Sequence, residues 1–293
     1  MTVRPSTFSI VGYDPETGDL GIAVASKFLA VGAVVPWARA GVGAVATQSY
    51  ANTAYGTRGL DLMALGLRAE DTLKHLVGDD PDRERRQVGL VDARGGTATF
   101  TGSGCHEWAG GRTGPGYAAQ GNILVGPQVV ESMARAFEST RGPLAERLLA
   151  ALAAGDEAGG DRRGRQSAAL LVVRAGGGYG GGSDRLVDLR VDDHGQPVQE
   201  LQRIYDVWKL YFAPSKDVVR LPLEGETLRE LQEIMAALGH YAGPAHGRWD
   251  EATRRAYAAL IGNENFEERI PMDATWIDGE VLAYLRRRVA AGS

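Results

Sequence analysis

The chain has 293 residues, 44% of them hydrophobic and 24% charged, with a formal net charge of −5. That length supports one large core plus a small second domain, and the acidic balance argues against nucleic acid as the main partner. A single cysteine, Cys105, excludes an intrachain disulfide, and five histidines fall in no metal-ligand spacing, so neither a metal nor a cofactor is expected.

Thr7 to Gly12 and Leu20 to Ser26 read as paired strands around a turn that holds Pro15 and Gly18. A third strand is expected over Ala30 to Pro36 and a fourth over Gly43 to Thr47. The period then changes: Leu60, Met63 and Leu67 suit one helix, and Ala69 to Val77 suit another with Glu70 and Asp71 near its start. Strands return in "RQVGLVDARGGTATFTG", with Gly95-Gly96 as the turn. "GNILVGPQVVESMARAFE" predicts a short strand and a helix, and "PLAERLLAALAAGDEAGG" a second helix stopped by glycines. Gln166 to Arg174 predicts another strand, with "RLVDLRVDDHG" as its neighbour.

"QPVQELQRIYDVWKLYFAPSKDV" predicts a helix that stops near Pro214 and closes a first domain of residues 1–217. Residues 218–293 differ in kind. Leu228, Leu231, Ile234, Met235 and Leu238 form one helical stripe ended by Gly239, and Asp250 is a candidate N-cap for the next helix. "DATWIDGEVLAYLRRRV" supplies a third. The order of strands and helices fits sheets with helices on their outer faces, an α+β arrangement that can form a four-layer αββα sandwich. The glycine-rich "RAGGGYGGGSD" lacks the GxGxxG order and is read as a hairpin loop. The start "MTVRPSTFSI" has no long apolar region, and no stretch reaches 18 uninterrupted apolar residues. A cytoplasmic protein without a membrane partner is therefore the expectation.

Four places could carry chemistry. Thr7 reads either as a β-branched strand residue or, once freed as a chain terminus, as a nucleophile whose own amine serves as base. Lys27, at the end of the second strand, reads either as a surface lysine or as the positive group beside that amine. A free Thr7 requires cleavage after Ser6. A second cluster, "ATQSYANTAYG", crowds Gln48, Ser49, Asn52 and Tyr55 after a strand. A third holds Cys105, His106, Glu107, Arg112, Gln120 and Asn122, and is either a pocket lining or a plain loop. In the fourth, Asp161, Arg162, Arg163 and Gln166 lead into Ser167, either holding a carboxylate or capping a strand as a solvated charge run.

"TFSIVGYDPETGDLGIAVASK", "GVGAVATQSYAN", "GYAAQGNILVG" and "GGDRRGRQSAALLVV" together resemble a bacterial family of uncharacterised proteins, a domain of unknown function with an Ntn-hydrolase-like fold. The resemblance covers about residues 5 to 213. "LRELQEIMAALGHYAGPAHGRWDEATRRAY" resembles a peptidoglycan-binding domain attached to that family. The resemblance implies a four-layer αββα sandwich followed by a small three-helix domain, and a homo-oligomer formed through outer helices. It places the nucleophile at Thr7, the positive partner at Lys27 and a weaker orienting group at Asp14. Gln48, Ser49, Asn52, Gln120, Asn122, Asp161, Arg163 and Ser167 become candidates for binding substrate.

Two functional readings follow. One is an amidohydrolase that cleaves an amide or peptide bond in a small substrate. The alternative is a catalytically inactive ligand-binding or structural sandwich whose C-terminal domain contacts a protein or a glycan. Trp249, Trp276 and Tyr241 in that domain read as core packing in preference to sugar stacking.

Overall fold

The computed structural model describes residues 7–212 and 218–292. Two strands, β1 (Thr7–Tyr13) and β2 (Leu20–Ser26), form the expected antiparallel hairpin. Its turn is locked by Asp14, whose carboxylate accepts the Glu16 N–H at 3.0 Å and the Thr17 hydroxyl at 2.8 Å. There follow β3 (Pro36–Arg39), β4 (Gly43–Ser49), α1 (Ala54–Ala64), α2 (Ala69–Gly78), β5 (Arg86–Asp92) and β6 (Thr97–Thr101). Next come β7 (Gly110–Gly114), β8 (Tyr117–Asn122), α3 (Gln128–Ser139), α4 (Leu144–Glu157), β9 (Ser167–Val173), β10 (Arg185–Val191) and α5 (Pro197–Phe212).

These strands make two antiparallel sheets, one of six in the order β10-β9-β2-β1-β8-β7 and one of four in the order β3-β4-β5-β6. Val11, Leu20, Ile22 and Val24 of the larger sheet share a core with Ala44, Ala46 and Val91 of the smaller. On the other face of the smaller sheet, Val45, Val88 and Leu90 pack with Leu60 and Met63 of α1 and Leu76 of α2. The other face of β1 meets α3 and α4: a Cβ on Gly12 would lie 3.1 Å from Leu144, Leu148 and Phe137. Burial of both faces explains why β1, β2 and β9 read as nearly unbroken apolar runs.

By its contacts the chain divides into two compact units, the first ending at Arg203 and the second beginning at Ile204, within α5. The second unit holds β11 (Arg220–Pro222), α6 (Gly225–Ala237), α7 (Glu251–Asn263), β12 (Trp276–Asp278) and α8 (Gly279–Gly292). Leu228, Leu231 and Met235 of α6 pack with Tyr257, Leu260 and Ile261 of α7 and with Leu282 and Leu285 of α8. The helix stop expected near Pro214 and the domain boundary expected at 217 fall outside the described residues.

The expected fold class needs correction. The architecture is mixed α/β, with sheets of six, four and two strands, and it is not a clear four-layer αββα sandwich of Ntn-hydrolase type followed by a three-helix domain. The C-terminal unit carries its own antiparallel ribbon, in which Leu221 pairs with Ile277, together with α6, α7, α8 and the end of α5. Strands of three residues are too short to show an alternation, which is why "TWID" read as the start of a helix. The third strand expected over Ala30 to Pro36 is instead a 3₁₀ turn over Val31–Ala33, entered through Ala30 at φ 52°, with β3 starting only at Pro36. The short strand expected at "GNILV" ends at Asn122, while β7 and β8 occupy glycine-rich sequence that carries no alternation.

Candidate functional site

Alternate residues of an antiparallel strand face the same side, so Thr7 and Ser9 of β1 share the face of Val11 that looks toward the smaller sheet. Gln120 and Asn122 of β8 flank them, paired with Ser9 and Thr7 respectively. From the opposite sheet, Gln48 of β4 and Gln87 of β5 point back, themselves paired across that sheet. The result is a polar cluster between the sheets. Ser9 donates to Gln48 Oε1 at 2.6 Å and accepts from Gln120 Nε2 at 2.7 Å. Gln48 Nε2 donates to Gln87 Oε1 at 2.9 Å and to the Thr7 carbonyl at 3.3 Å. Gln87 Oε1 also accepts from Asn122 Nδ2 at 2.9 Å, while Gln87 Nε2 donates to the Gly121 carbonyl at 2.7 Å and to Thr101 Oγ1 at 2.9 Å.

Ser9, Gln48, Gln87, Gln120 and Asn122 are each no more than 1% exposed. Three of the residues expected to bind substrate, Gln48, Gln120 and Asn122, thus meet in one place, but their amides are engaged there by Ser9 and Gln87. Every member is a neutral hydroxyl or amide, so the cluster holds no group able to take a proton from a nucleophile at neutral pH.

Thr7 lies at the rim of this cluster, buried, its Oγ1 3.2 Å from Ser26 Oγ. Lys27 follows Ser26, yet its side chain is exposed. The backbone fixes it instead: its N–H donates to Asp161 Oδ2 at 2.8 Å and its carbonyl accepts from Arg163 Nη2 at 3.1 Å. Asp14 sits at the opposite end of β1, about 23 Å along the strand from Thr7 at the usual rise per residue. Its carboxylate holds the hairpin turn.

The remaining candidates separate into two further places. Asn52 donates to Asp80 Oδ2 at 3.1 Å, where Tyr55 and Arg86 also donate, at 2.9 and 3.0 Å. Burial works against the Asp80 charge, but the bonds from Arg86, Asn52, the Asp82 N–H and Tyr55 outweigh it and hold the carboxyl well below the usual carboxylate range. Burial, with the Asp80 bond second, pushes the Tyr55 hydroxyl well above its ordinary value. Ser49 ends β4 in the left-handed region at φ 69°. Cys105 donates to the Arg86 carbonyl at 3.3 Å, and burial pushes its thiol up, away from the reactive thiolate.

Asp161 is buried and accepts from Arg163 through its N–H at 2.8 Å and its guanidinium Nη2 at 2.9 Å. The carboxylate thus ties the Lys27 loop to its own, and Arg163 is spent on that tie. Ser167 opens β9, donating to the Phe28 carbonyl and accepting from the Val31 N–H at 3.1 Å. Ser9, Gln87 and Asp156 were missed from the sequence. The polar alternation Thr7, Ser9 along an otherwise apolar strand was the available signal for the first of them.

Asp14 is therefore not assembled with Thr7 as its orienting group, whereas Lys27 follows the Ser26 that contacts Thr7 and has an exposed side chain. Among the described residues no group of three or more His, Cys, Asp or Glu is placed to hold a metal ion.

The model of a family described as "Family of unknown function (DUF1028)" matches residues 7–201, and that of a "Putative peptidoglycan binding domain" matches residues 211–285. Among solved structures, protein SPO2555 from Silicibacter pomeroyi, assigned to DUF1028, is 33% identical with a TM-score of 0.64, covering 70% of this chain and 89% of that one. Anbu (ancestral beta-subunit) from Yersinia bercovieri aligns at 10% identity with a TM-score of 0.32, covering 69% and 94% respectively. No match is found among curated proteins.

Proposed function

Because the chain belongs to the DUF1028 family, a family of unknown function, we propose that it is a binding or structural protein without hydrolytic activity. In this reading the first unit is a rigid scaffold and the C-terminal unit is its contact module. The observation that carries the reading is the buried network of Ser9, Gln48, Gln87, Gln120 and Asn122, which fills with mutual hydrogen bonds the place where a substrate pocket was expected. The amidohydrolase reading is withdrawn on that ground and on the distance of Asp14 from Thr7. A scaffold and a peptidoglycan-binding-like domain in one chain suit attachment better than turnover.

The contact class that suits the second unit is a glycan. Trp249 and Trp276 pack against the unit's core, Trp249 edge-on to Tyr257 and Trp276 beneath the Arg220 guanidinium, so neither ring is a free platform for sugar stacking. An open groove of about 310 Å³ lined by His240, Tyr241, Ala252 and Arg255 offers polar donors instead. The test is co-sedimentation of the full chain with insoluble peptidoglycan. The chain should pellet, Arg255→Glu should leave it in the supernatant, and Thr7→Ala should pellet as wild type does. A wild-type chain that stays in solution refutes the glycan contact. Release of soluble fragments that Thr7→Ala abolishes refutes the non-catalytic reading.

A further inference from the structure

Asp156 is the penultimate residue of α4, where the negative end of the helix dipole disfavours a carboxylate, and yet it is only 3% exposed. Part of the compensation is visible: Oδ1 accepts from Arg165 Nε at 2.7 Å, and Arg165 Nη2 reaches the Asp156 carbonyl at 3.4 Å. Oδ2 is buried and has no hydrogen-bond partner among the described residues. Buried carboxylate oxygens are ordinarily satisfied, so one that is not points to a missing donor.

Asp156 lines a cavity of about 270 Å³, well above the ~30 Å³ that one water occupies in the liquid. Phe8, Ala25 and Pro197 give it apolar wall, Gly159 leaves room, and Arg165 stands at its side. The other carboxylate there, Asp161, is fully engaged by the Lys27 N–H and by Arg163. Arg165 Nη1 has no partner among the described residues. The Asp156–Arg165 pair is neutral as a whole, so a ligand that is itself neutral overall, with one positive and one negative end, matches both open atoms without leaving a buried net charge.

We propose that this cavity binds a small zwitterionic α-amino acid, its ammonium group donating to Asp156 Oδ2 and its carboxylate accepting from Arg165 Nη1. The site lies wholly within the first unit and does not depend on the glycan contact. Glycine, L-alanine, glycinamide and acetate, titrated into the ¹⁵N-labelled full chain, test it. Glycinamide keeps the amine and lacks the carboxylate, as the amino terminus of a peptide does, and acetate has the reverse defect. Glycine and L-alanine should bind saturably, moving the amides of Gly155, Gly159, Gly160 and Gly164, and glycinamide and acetate should each bind about tenfold more weakly or worse. Asp156→Asn, folded by circular dichroism, should lose about tenfold or more in glycine affinity. Absence of saturable binding, shifts confined to other parts of the chain, equal binding of glycinamide, or undiminished binding by folded Asp156→Asn each overturns the proposal. Should Asp156→Asn not fold, the wild-type shift map and the four-compound ranking decide alone.

Discussion

Gly89 of β5 and Gln120 of β8 face each other between the two large sheets, so closely that a Cβ on Gly89 would lie 2.1 Å from Gln120 Oε1. The glycine is there because the opposite sheet delivers an amide into its space. Gly89→Ala must push Gln120 out of its bond to Ser9, combining overpacking with an orphaned hydroxyl. It should cost about 3 kcal/mol, read as a lowered midpoint in urea unfolding. A cost below ~0.5 kcal/mol would show that the amide has another place to go.

Gln48 and Gln87 bond to each other, so their removal should not be additive. Gln48→Leu leaves Ser9 Oγ and Gln87 Oε1 each short of a partner, and should cost about 2 kcal/mol. Gln87→Leu should cost as much, because it strips partners from Asn122 and Thr101. The double variant should fall short of the sum by about 1 kcal/mol, since the second change removes a group the first had orphaned. A double-mutant cycle by chemical denaturation measures this directly.

Acid should act through Asp80. Its folded carboxyl titrates below its unfolded value of about 3.9, so the stability it contributes is complete above that pH and is lost as pH falls toward the folded value. Wild type should therefore lose stability below about pH 4 more steeply than Asp80→Asn, and the gap between the two should narrow on acidification. Near neutrality Asp80→Asn should be about 2 kcal/mol less stable, because Arg86, whose side chain is only 16% exposed, loses the nearer and more buried of its two ionic partners and keeps Asp82 at 3.4 Å. Urea denaturation at a series of pH values checks both the sign and the window. A gap that stays constant from neutral to acid would remove Asp80 as the cause.

In the second unit, Arg269 is fully buried and lies 3.1 Å from the equally buried Asp278, and its Nη1 donates to the carbonyls of Lys209 and Leu210 at 2.8 Å each. One guanidinium thus holds the end of α5 against the strand ribbon. Arg269→Met should destabilise this unit by about 4 kcal/mol, since it strands a carboxylate and two carbonyls. Hydrogen exchange should show the loss at Ile277 and Asp278 first, with the β1–β2 hairpin unchanged.

Asp250→Ala should cost about 1 kcal/mol, since its carboxylate accepts the Thr253 N–H at 2.9 Å and caps α7. Thermal unfolding of the full chain measures it.

That cap was legible in the sequence, as were the first hairpin and the apolar stripe of α6, because each depends on residues a few positions apart. Asp250 needed only its own helix, and Leu228, Leu231 and Met235 needed only a 3.6-residue period. Gln120 and Gln48 were visible as unusual polar residues, but not their partners: they meet Ser9 from strands 111 and 39 positions away. Read singly, a buried glutamine on a strand and a pocket glutamine look alike. Thr7 was legible as the start of β1, while its surroundings came from Ser26 and Asn122 across the sheet. Asp156 gave no sign, because a carboxylate near a helix end reads as a surface residue unless a cavity is known to adjoin it.

The strand order also bears on how the chain is made. β2 is synthesised long before β9, which covers its second edge, with Leu20 paired to Val173. Until more than 140 further residues have been synthesised, the apolar run Gly21–Ala25 presents a row of unmet backbone donors and acceptors to whatever strand comes near. The β1–β2 hairpin is thus an adhesive segment during synthesis, and chaperone dependence should concentrate on nascent chains stalled between β8 and β9.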